Sequence, residues 1–358
     1  MSLFDYIDYY KDYTFLETGF NEVDNVIFSC LAYVNYNFIV SSNKSNKLTI
    51  KEVGDIYFSL HQKQPKIDMI AVKEAVKLLK KVKDTTRYKD VLMYSYKYIG
   101  NEESQFSALT FEISKDLCYV AFEGTDQLIS GWKEDCKMAY EFPVTAHKYA
   151  TKYLNYNFLF SNKRLIIGGH SKGGNLALVS SMCCNYFVKN KIINIYSNDG
   201  QGLRKAQIES KKYESIKDRL IHIIPQYSIV GLLLRHDDNY TVIHSTRKGA
   251  ISHCTSYWEV ENDHFLRDEL SPFSKILDQG IITWLDKYDD EKREKFVNSV
   301  FEILEENNVQ SLLQLKKQVK LLFKVIKSTK DLDPIVSEML KDLLKVLNET
   351  NKEFLWIK

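Results

Sequence analysis

Apolar positions change their spacing several times along the chain, and each change predicts an element. Apolar residues three and four positions apart predict helices over residues 25–36, 68–83, 132–158 and 171–189. In residues 68–83 lysines occupy the opposite face, which is typical of an amphipathic helix. Alternating or continuous apolar runs predict strands over residues 94–98, 105–113, 117–122, 164–168, 192–197, 219–224 and 241–244.

The order of these elements predicts an α/β protein. Strands alternate with helices from residue 117 onwards, which indicates a mostly parallel central sheet with helices on both faces and helical decoration before it. Residues 288–358 contain no glycine and have long helical periods over residues 296–304 and 312–326, with a third helix beginning at Asp333-Pro334. We therefore predict an α/β domain over residues 1–285 and a helical C-terminal appendage over residues 286–358.

Composition excludes several classes of function. The chain has 358 residues and a formal charge of only +2, with basic and acidic residues interleaved, so a nucleic-acid partner is not expected. The six cysteines lack C-x-x-C spacing and histidines at zinc-ligand spacing, which favours reduced thiols and no metal. The N-terminus has no signal-peptide pattern, and no apolar run approaches the roughly 20 residues of a membrane span. We expect a soluble, cytoplasmic, disulfide-free protein.

A glycine-rich turn separates a predicted strand from a predicted helix. The apolar run that begins at residue 165 leads into Gly169-His170-Ser171-Lys172-Gly173, which Gly174 follows. The G-x-S-x-G pattern between a strand and a helix is typical of a nucleophile elbow, which needs glycines because a Cβ atom would collide in so sharp a turn. The elbow presents its serine at a helix N-terminus, where developing negative charge is favoured. We predict that Ser171 is a nucleophile.

Four segments in order carry a family resemblance. Together they resemble the bacterial Mbeg-like proteins, which are related to the class 3 lipases of the α/β-hydrolase superfamily: Gln105–Phe111 (QFSALTF), Val120–Asp126 (VAFEGTD), Gly131–Asp135 (GWKED) and Gly169–Asn175 (GHSKGGN). The similarity covers about residues 10–285. It implies an α/β-hydrolase fold and a lipase- or esterase-like activity, and it does not indicate a substrate.

The resemblance also implies an oxyanion hole. In the class 3 lipases the strand that ends in F-R-G-T carries an oxyanion-hole residue. Thr125 is the matching residue here. Its backbone N–H and hydroxyl are therefore expected to face the oxyanion. The second predicted donor is the backbone N–H of Lys172, the residue after the nucleophile. Glu123 stands where the lipases usually have arginine, so an ion pair of that family is expected to be lost or reversed here.

The general base should be a histidine after the last strand, because the triad order in this fold is serine, acid, histidine. His244 is predicted to lie within the strand 241–244 and to face the core or the sheet, and His264 lies in a charged, exposed run. His253 lies in a loop about ten residues past the strand, and His253 with Trp258 resembles the His-x-x-x-x-Trp segment of the family. We assign His253 as the base.

The acid has two candidate positions. The class 3 lipases carry an aspartate in a D-x-V-P segment, but the matching segment here, Pro225–Gly231, has Ser228 at that place. A serine hydroxyl offers no charge to an imidazolium, so we expect Ser228→Ala to change little. Asp199 lies at the end of the preceding strand, and we predict that it orients His253, although Asp-Gly is also a common turn. Asp237 and Asp238 are predicted to be surface residues.

These residues predict a serine esterase or lipase that acts through a Ser171 acyl-enzyme without a metal or organic cofactor. The expected partner is a small-molecule or lipid ester, with transient contact at a membrane surface left open and the oligomeric state unassigned. The alternative is a catalytically degraded α/β-hydrolase scaffold that acts as a binding protein, which Glu123 and Ser228 favour.

Overall fold

The computed structural model of the protein describes residues 1–62, 69–101, 103–125, 129–237, 239–306 and 333–355. The strands of these residues are β1 Leu48–Thr49, β2 Leu92–Gly100, β3 Gln105–Ser114, β4 Leu117–Phe122, β5 Arg164–His170, β6 Ile192–Asn198, β7 Leu220–Pro225, β8 Tyr240–Ile243, β9 Val260–Glu261 and β10 His264–Phe265. The helices are α1 Leu3–Tyr10, α2 Phe15–Thr18, α3 Glu22–Leu31, α4 Ile50–Leu60, α5 Ile70–Val82, α6 Ile129–Lys137, α7 Thr145–Phe158, α8 Lys172–Cys183, α9 Tyr186–Lys189, α10 Lys205–Ile208, α11 Lys211–Glu214, α12 Pro272–Lys287, α13 Asp290–Glu306 and α14 Pro334–Leu355.

Strands β1 to β8 form one sheet whose spatial order follows the chain. The first four strands pair antiparallel, and β4 to β8 pair parallel with their neighbours. The sheet is therefore mixed, with its parallel half downstream, and helices flank it in an α/β fold. In this arrangement the carboxyl ends of β4 to β8 lie at one edge, where ligands bind in open α/β sheets.

Both faces of the sheet are buried, which explains the continuous apolar run of β4. Tyr119 and Ala121 point to the core shared with α1, α3, α4 and α5, whereas Val120 and Phe122 point to the core shared with α7 and α8. The N-terminal helices thus form one of the two layers that cover the sheet. Their caps follow the sequence closely, since Ser2, Asn21 and Thr49 each begin a helix with a capping box.

Two predicted helices differ from the structure. The predicted helix 132–158 is two helices, α6 and α7, because Pro143 lies between them and a proline has no N–H for a helical hydrogen bond. The predicted helix 171–189 ends at Cys183, and the short α9 follows it. Ser171 itself is the N-cap of α8 and has a positive φ of 60°.

The C-terminal helices contact the α/β body through a third apolar cluster. Phe296, Phe301 and Met339 are buried in it, and Trp132 of α6 packs against them. Asp333 caps α14 as predicted, with its Oδ1 accepting from the N–H of Ile335 at 2.9 Å. Helix α12 runs across the predicted boundary between residues 285 and 286 and packs against α14, and the division into two domains stays a prediction. The predicted helical period 312–326 lies outside the described residues.

Candidate active site

The elbow is built by glycines that face backbone. A Cβ atom on Gly169 would lie closer than 3.0 Å to the backbone of Gly173, and one on Gly173 would meet the carbonyl of Phe122 equally closely. Only glycine therefore fits at these two positions. The turn leaves Ser171 with its positive φ at the first turn of α8, and its side chain is 7% exposed. The local geometry is that of a nucleophile elbow.

Asp199 and His253 come together beside this elbow. Asp199 follows β6 directly, is fully buried and places Oδ2 2.6 Å from His253 Nδ1. Burial alone would raise the pKa of Asp199, but the hydrogen bond and charge of His253, with the hydroxyl of Ser228, hold that pKa below its ordinary value. An ionised Asp199 keeps the proton of the neutral imidazole on Nδ1, and Nε2 is then free to accept a proton.

Ser228 contacts the carboxylate. Its Oγ donates to Asp199 Oδ1 at 2.5 Å, and the N–H of Gly231 donates to the same oxygen at 3.0 Å. The sequence-based expectation that Ser228 matters little does not fit this contact, because the hydroxyl solvates the buried charge that faces His253. Ser228, which stands where the lipases have aspartate, therefore contacts Asp199, which follows β6, from the end of the neighbouring strand β7.

The loop that carries His253 is held through its backbone. His170 Nε2 donates to the His253 carbonyl at 2.8 Å, so its Nδ1 is the acceptor and takes a hydrogen bond from the Tyr33 hydroxyl at 3.0 Å. Burial lowers the pKa of His170 to about 3, so the ring is neutral. Trp258 Nε1 donates to the Ser252 carbonyl at 2.8 Å. In the described part of the chain the Ser171 hydroxyl makes no hydrogen bond, and in serine hydrolases such a bond often forms only when substrate binds.

The two other candidate histidines lie elsewhere. The prediction that His244 faces the core or the sheet was wrong: β8 ends one residue earlier, and His244 is partly exposed with Nδ1 2.7 Å from Asp268 Oδ2. His264 is also partly exposed and contacts Asp263 and Glu261. Both rings are engaged by surface carboxylates.

Thr125 lies just beyond the end of β4 and is 4% exposed. Its Oγ1 donates to Asp135 Oδ2 at 2.5 Å, so the hydroxyl is engaged with α6, and the role of the backbone N–H as an oxyanion donor stays a prediction. Burial raises the pKa of Asp135 to about 6 against the opposing charge of Lys172, whose ammonium lies 3.6 Å from Asp135 Oδ1. Glu123, at the arginine position of the lipases, is buried.

Lys172 has a side chain that is fully buried behind the elbow. Its ammonium donates to Glu134 Oε2 at 2.7 Å and to the carbonyl of Gln105 at 3.1 Å. Glu134 also accepts from the Ser104 hydroxyl at 2.8 Å and from the N–H of Ala146 at 2.8 Å. This ion pair ties the residue after Ser171 to α6, the helix that also holds Thr125 through Asp135.

This chain is similar to a known protein family and to a solved structure. A profile of the Mbeg1-like family matches residues 82–302, which include every candidate site residue. The chain belongs to the Mbeg1-like family. Among solved structures it is similar to the M37 lipase, with a TM-score of 0.33 and 12% identity over 60% of this chain and 70% of that one. No curated protein matches the chain.

Within the described residues no group of three or more histidine, cysteine, aspartate or glutamate side chains is arranged to hold a metal ion. Within the same residues no helix has the length and apolar character needed to cross a membrane. The six cysteines are free thiols.

Sequence reasoning missed three contacts of this site. It assigned His170 only to the elbow, treated Ser228 as a lost acid and considered only the backbone of Lys172. Each contact joins elements that are far apart in the chain, as Lys172 and Glu134 are by 38 residues. A lysine in the otherwise small and apolar start of α8 was the one available signal, since a lysine is rarely buried without a partner.

The buried ion pair makes a testable prediction about stability. We expect Lys172→Met to lower the free energy of unfolding by about 3–5 kcal/mol, because Glu134 would be left buried without its counter-charge. Combining it with Glu134→Gln should recover most of that loss, which denaturant unfolding of the two single variants and the double variant would measure. Lys51→Met, which breaks ion pairs of about half-exposed side chains, is the control and should have a much smaller effect. Equal losses for Lys172→Met and Lys51→Met would contradict the prediction.

Proposed function

We propose that this protein is a serine hydrolase that cleaves a carboxylic ester through a Ser171 acyl-enzyme. The observation that carries the proposal is the 2.6 Å contact between buried Asp199 and His253 beside a strained serine elbow. A serine, a carboxylate and an imidazole that follow β5, β6 and β8 are the parts of a catalytic triad. The substrate class that fits is a small-molecule or lipid ester.

The proposed reaction uses each group in a defined role. Ser171 Oγ attacks the ester carbonyl while His253 Nε2 accepts its proton, and Asp199 stabilises the imidazolium that forms. The backbone N–H groups of Lys172 and Thr125 donate to the oxyanion. The imidazolium then protonates the departing alcohol, and a water activated by the same imidazole hydrolyses the acyl-enzyme.

One observation favours the second candidate, a binding protein on a hydrolase scaffold. In the described part of the chain no hydrogen bond connects Ser171 to His253, and a nucleophile that never meets its base would be unreactive. The two candidates differ in the reactivity of the serine, which makes them easy to separate.

The test is labelling with a fluorophosphonate probe followed by peptide mapping. We expect the native protein to form one adduct on the peptide that contains Ser171, because a serine beside a base is far more nucleophilic than a solvated one. Heat-denatured protein is the control and should not react. A native protein that stays unlabelled, or that carries the adduct on another serine, would support the scaffold over the enzyme.

A further inference from the structure

A cavity lies between the antiparallel half of the sheet and helix α7, away from the candidate triad. Its volume is about 400 Å³, and neither Ser171, Asp199 nor His253 lines it. We call it the α7 pocket; the lining residues that matter here are Ser95, Lys97, Phe106, Tyr149, Lys152 and Tyr156. A cavity of this size matches a small organic ligand.

The α7 pocket exists because strand β2 bulges at its centre. The register of β2 against β3 shifts between Tyr94 and Lys97, and Ser95 in that bulge has a positive φ of 55°. Two contacts hold the strained residue in place: Ser95 Oγ donates to Asn157 Oδ1 at 2.9 Å, and the Tyr153 hydroxyl donates to the Ser95 carbonyl at 3.0 Å. A bulge with a strained non-glycine residue is a feature that proteins retain where it shapes a site.

The walls of the pocket are aromatic. Tyr149, Tyr153 and Tyr156 recur on one face of α7, and the ring of Phe106 lies 5.8 Å from that of Tyr149. Tyr156 is 73% exposed, so its ring is open to a ligand at the mouth. Such walls suit a flat, aromatic body, because offset and edge-to-face ring contacts add to the area that is buried.

The mouth of the pocket is positively charged. Lys97 and Lys152 line it and are exposed, and Lys44 lies over the Tyr156 ring at 6.0 Å. No ion pair joins any of these three lysines to another described residue. Three lysines without an ion pair to a described residue therefore surround one cavity, and their combined positive charge favours a negatively charged ligand.

We propose that the α7 pocket binds an organic anion with a planar aromatic body. The rings of Phe106, Tyr149 and Tyr156 contact the flat part, and the ammonium groups of Lys97 and Lys152 contact the anionic group at the mouth. The proposal does not depend on esterase activity, because no residue of the candidate triad takes part. It gives this chain a ligand site in addition to the edge of the sheet that carries Ser171.

The probe for the test is 8-anilinonaphthalene-1-sulfonate, which has flat rings and a single sulfonate and can be titrated by fluorescence. We expect saturable binding with a stoichiometry of one, and Lys97→Ala with Lys152→Ala should weaken it about tenfold or more, the effect of losing charge-assisted contacts. The matched control is Lys211→Ala with Lys212→Ala, which removes the same charge from exposed lysines on α11. The control should leave the dissociation constant within about twofold.

A second pair of variants tests the aromatic wall. Tyr156→Ala should weaken binding, whereas Tyr186→Ala, which truncates a similarly exposed tyrosine on α9, should not. Neither change disturbs a buried residue, so folding is kept. No saturable binding by the native protein, equal weakening by each variant and its control, or loss of binding when Ser171 carries a fluorophosphonate adduct would overturn the proposal.

Discussion

Replacing Ser171 by alanine is expected to abolish ester hydrolysis. If this serine is the nucleophile, the first-order rate should fall by about 10⁴-fold or more with a p-nitrophenyl ester as substrate, as when a triad nucleophile is removed elsewhere. Folding should be little affected, since the hydroxyl makes no hydrogen bond in the described part of the chain. Hydrolysis and the thermal midpoint of the same samples would be measured together.

The control for this variant is Ser161→Ala, which changes a serine three residues past the end of α7, away from the elbow. It should keep the rate of the unmodified protein. A Ser171→Ala variant that is folded and still hydrolyses the ester at the original rate would show that the elbow serine is not the nucleophile.

Replacing Asp199 by asparagine should lower kcat by about 10⁴-fold, the size of effect known for an orienting carboxylate in a serine triad. The asparagine oxygen can still accept from Ser228 and Gly231, so its amide would face His253 Nδ1 and donate to it. The imidazole would then carry its proton on Nε2 and could not accept one from Ser171. Kinetics on the ester, with the thermal midpoint as the folding measurement, would test this.

Ser228→Ala is the matched variant for Asp199→Asn, because it removes one donor to the same carboxylate but keeps the charge. Losing a hydrogen bond to a charged group costs about 1.5–3 kcal/mol, so kcat should fall roughly tenfold to a hundredfold and less than in Asp199→Asn. An active Asp199→Asn together with an inactive Ser228→Ala would mean that the hydroxyl, and not the carboxylate, orients His253.

The elements and the elbow could be predicted because their signals are local. The eleven residues 165–175 contain the signals for the turn at Ser171, for the strand before it and for the helix after it. Strand β4 could be predicted for the same reason, since a strand that is buried on both faces has an unbroken apolar run. The break between α6 and α7 was missed although Pro143 signals it, because apolar spacing continues on both sides.

The contacts of the candidate site were harder to predict, because they join residues that only the fold brings together. Asp199 could be proposed from its place after a strand, but the sequence did not show that Ser228 would lie on its second oxygen. The N-terminal helices were predicted as decoration, whereas they form a whole layer of the molecule. Such arrangements depend on the order of strands in the sheet, which apolar periodicity does not encode.

The ion pair of Lys172 and Glu134 has a consequence for how this sequence can change over generations. Loss of Lys172 alone leaves Glu134 buried without its counter-charge, directly behind the elbow. An apolar residue at position 172 is therefore tolerated only if Glu134 is replaced by an uncharged residue at nearly the same time. The two positions should drift together through descendants of this chain, and a lineage that loses one is expected to replace the other.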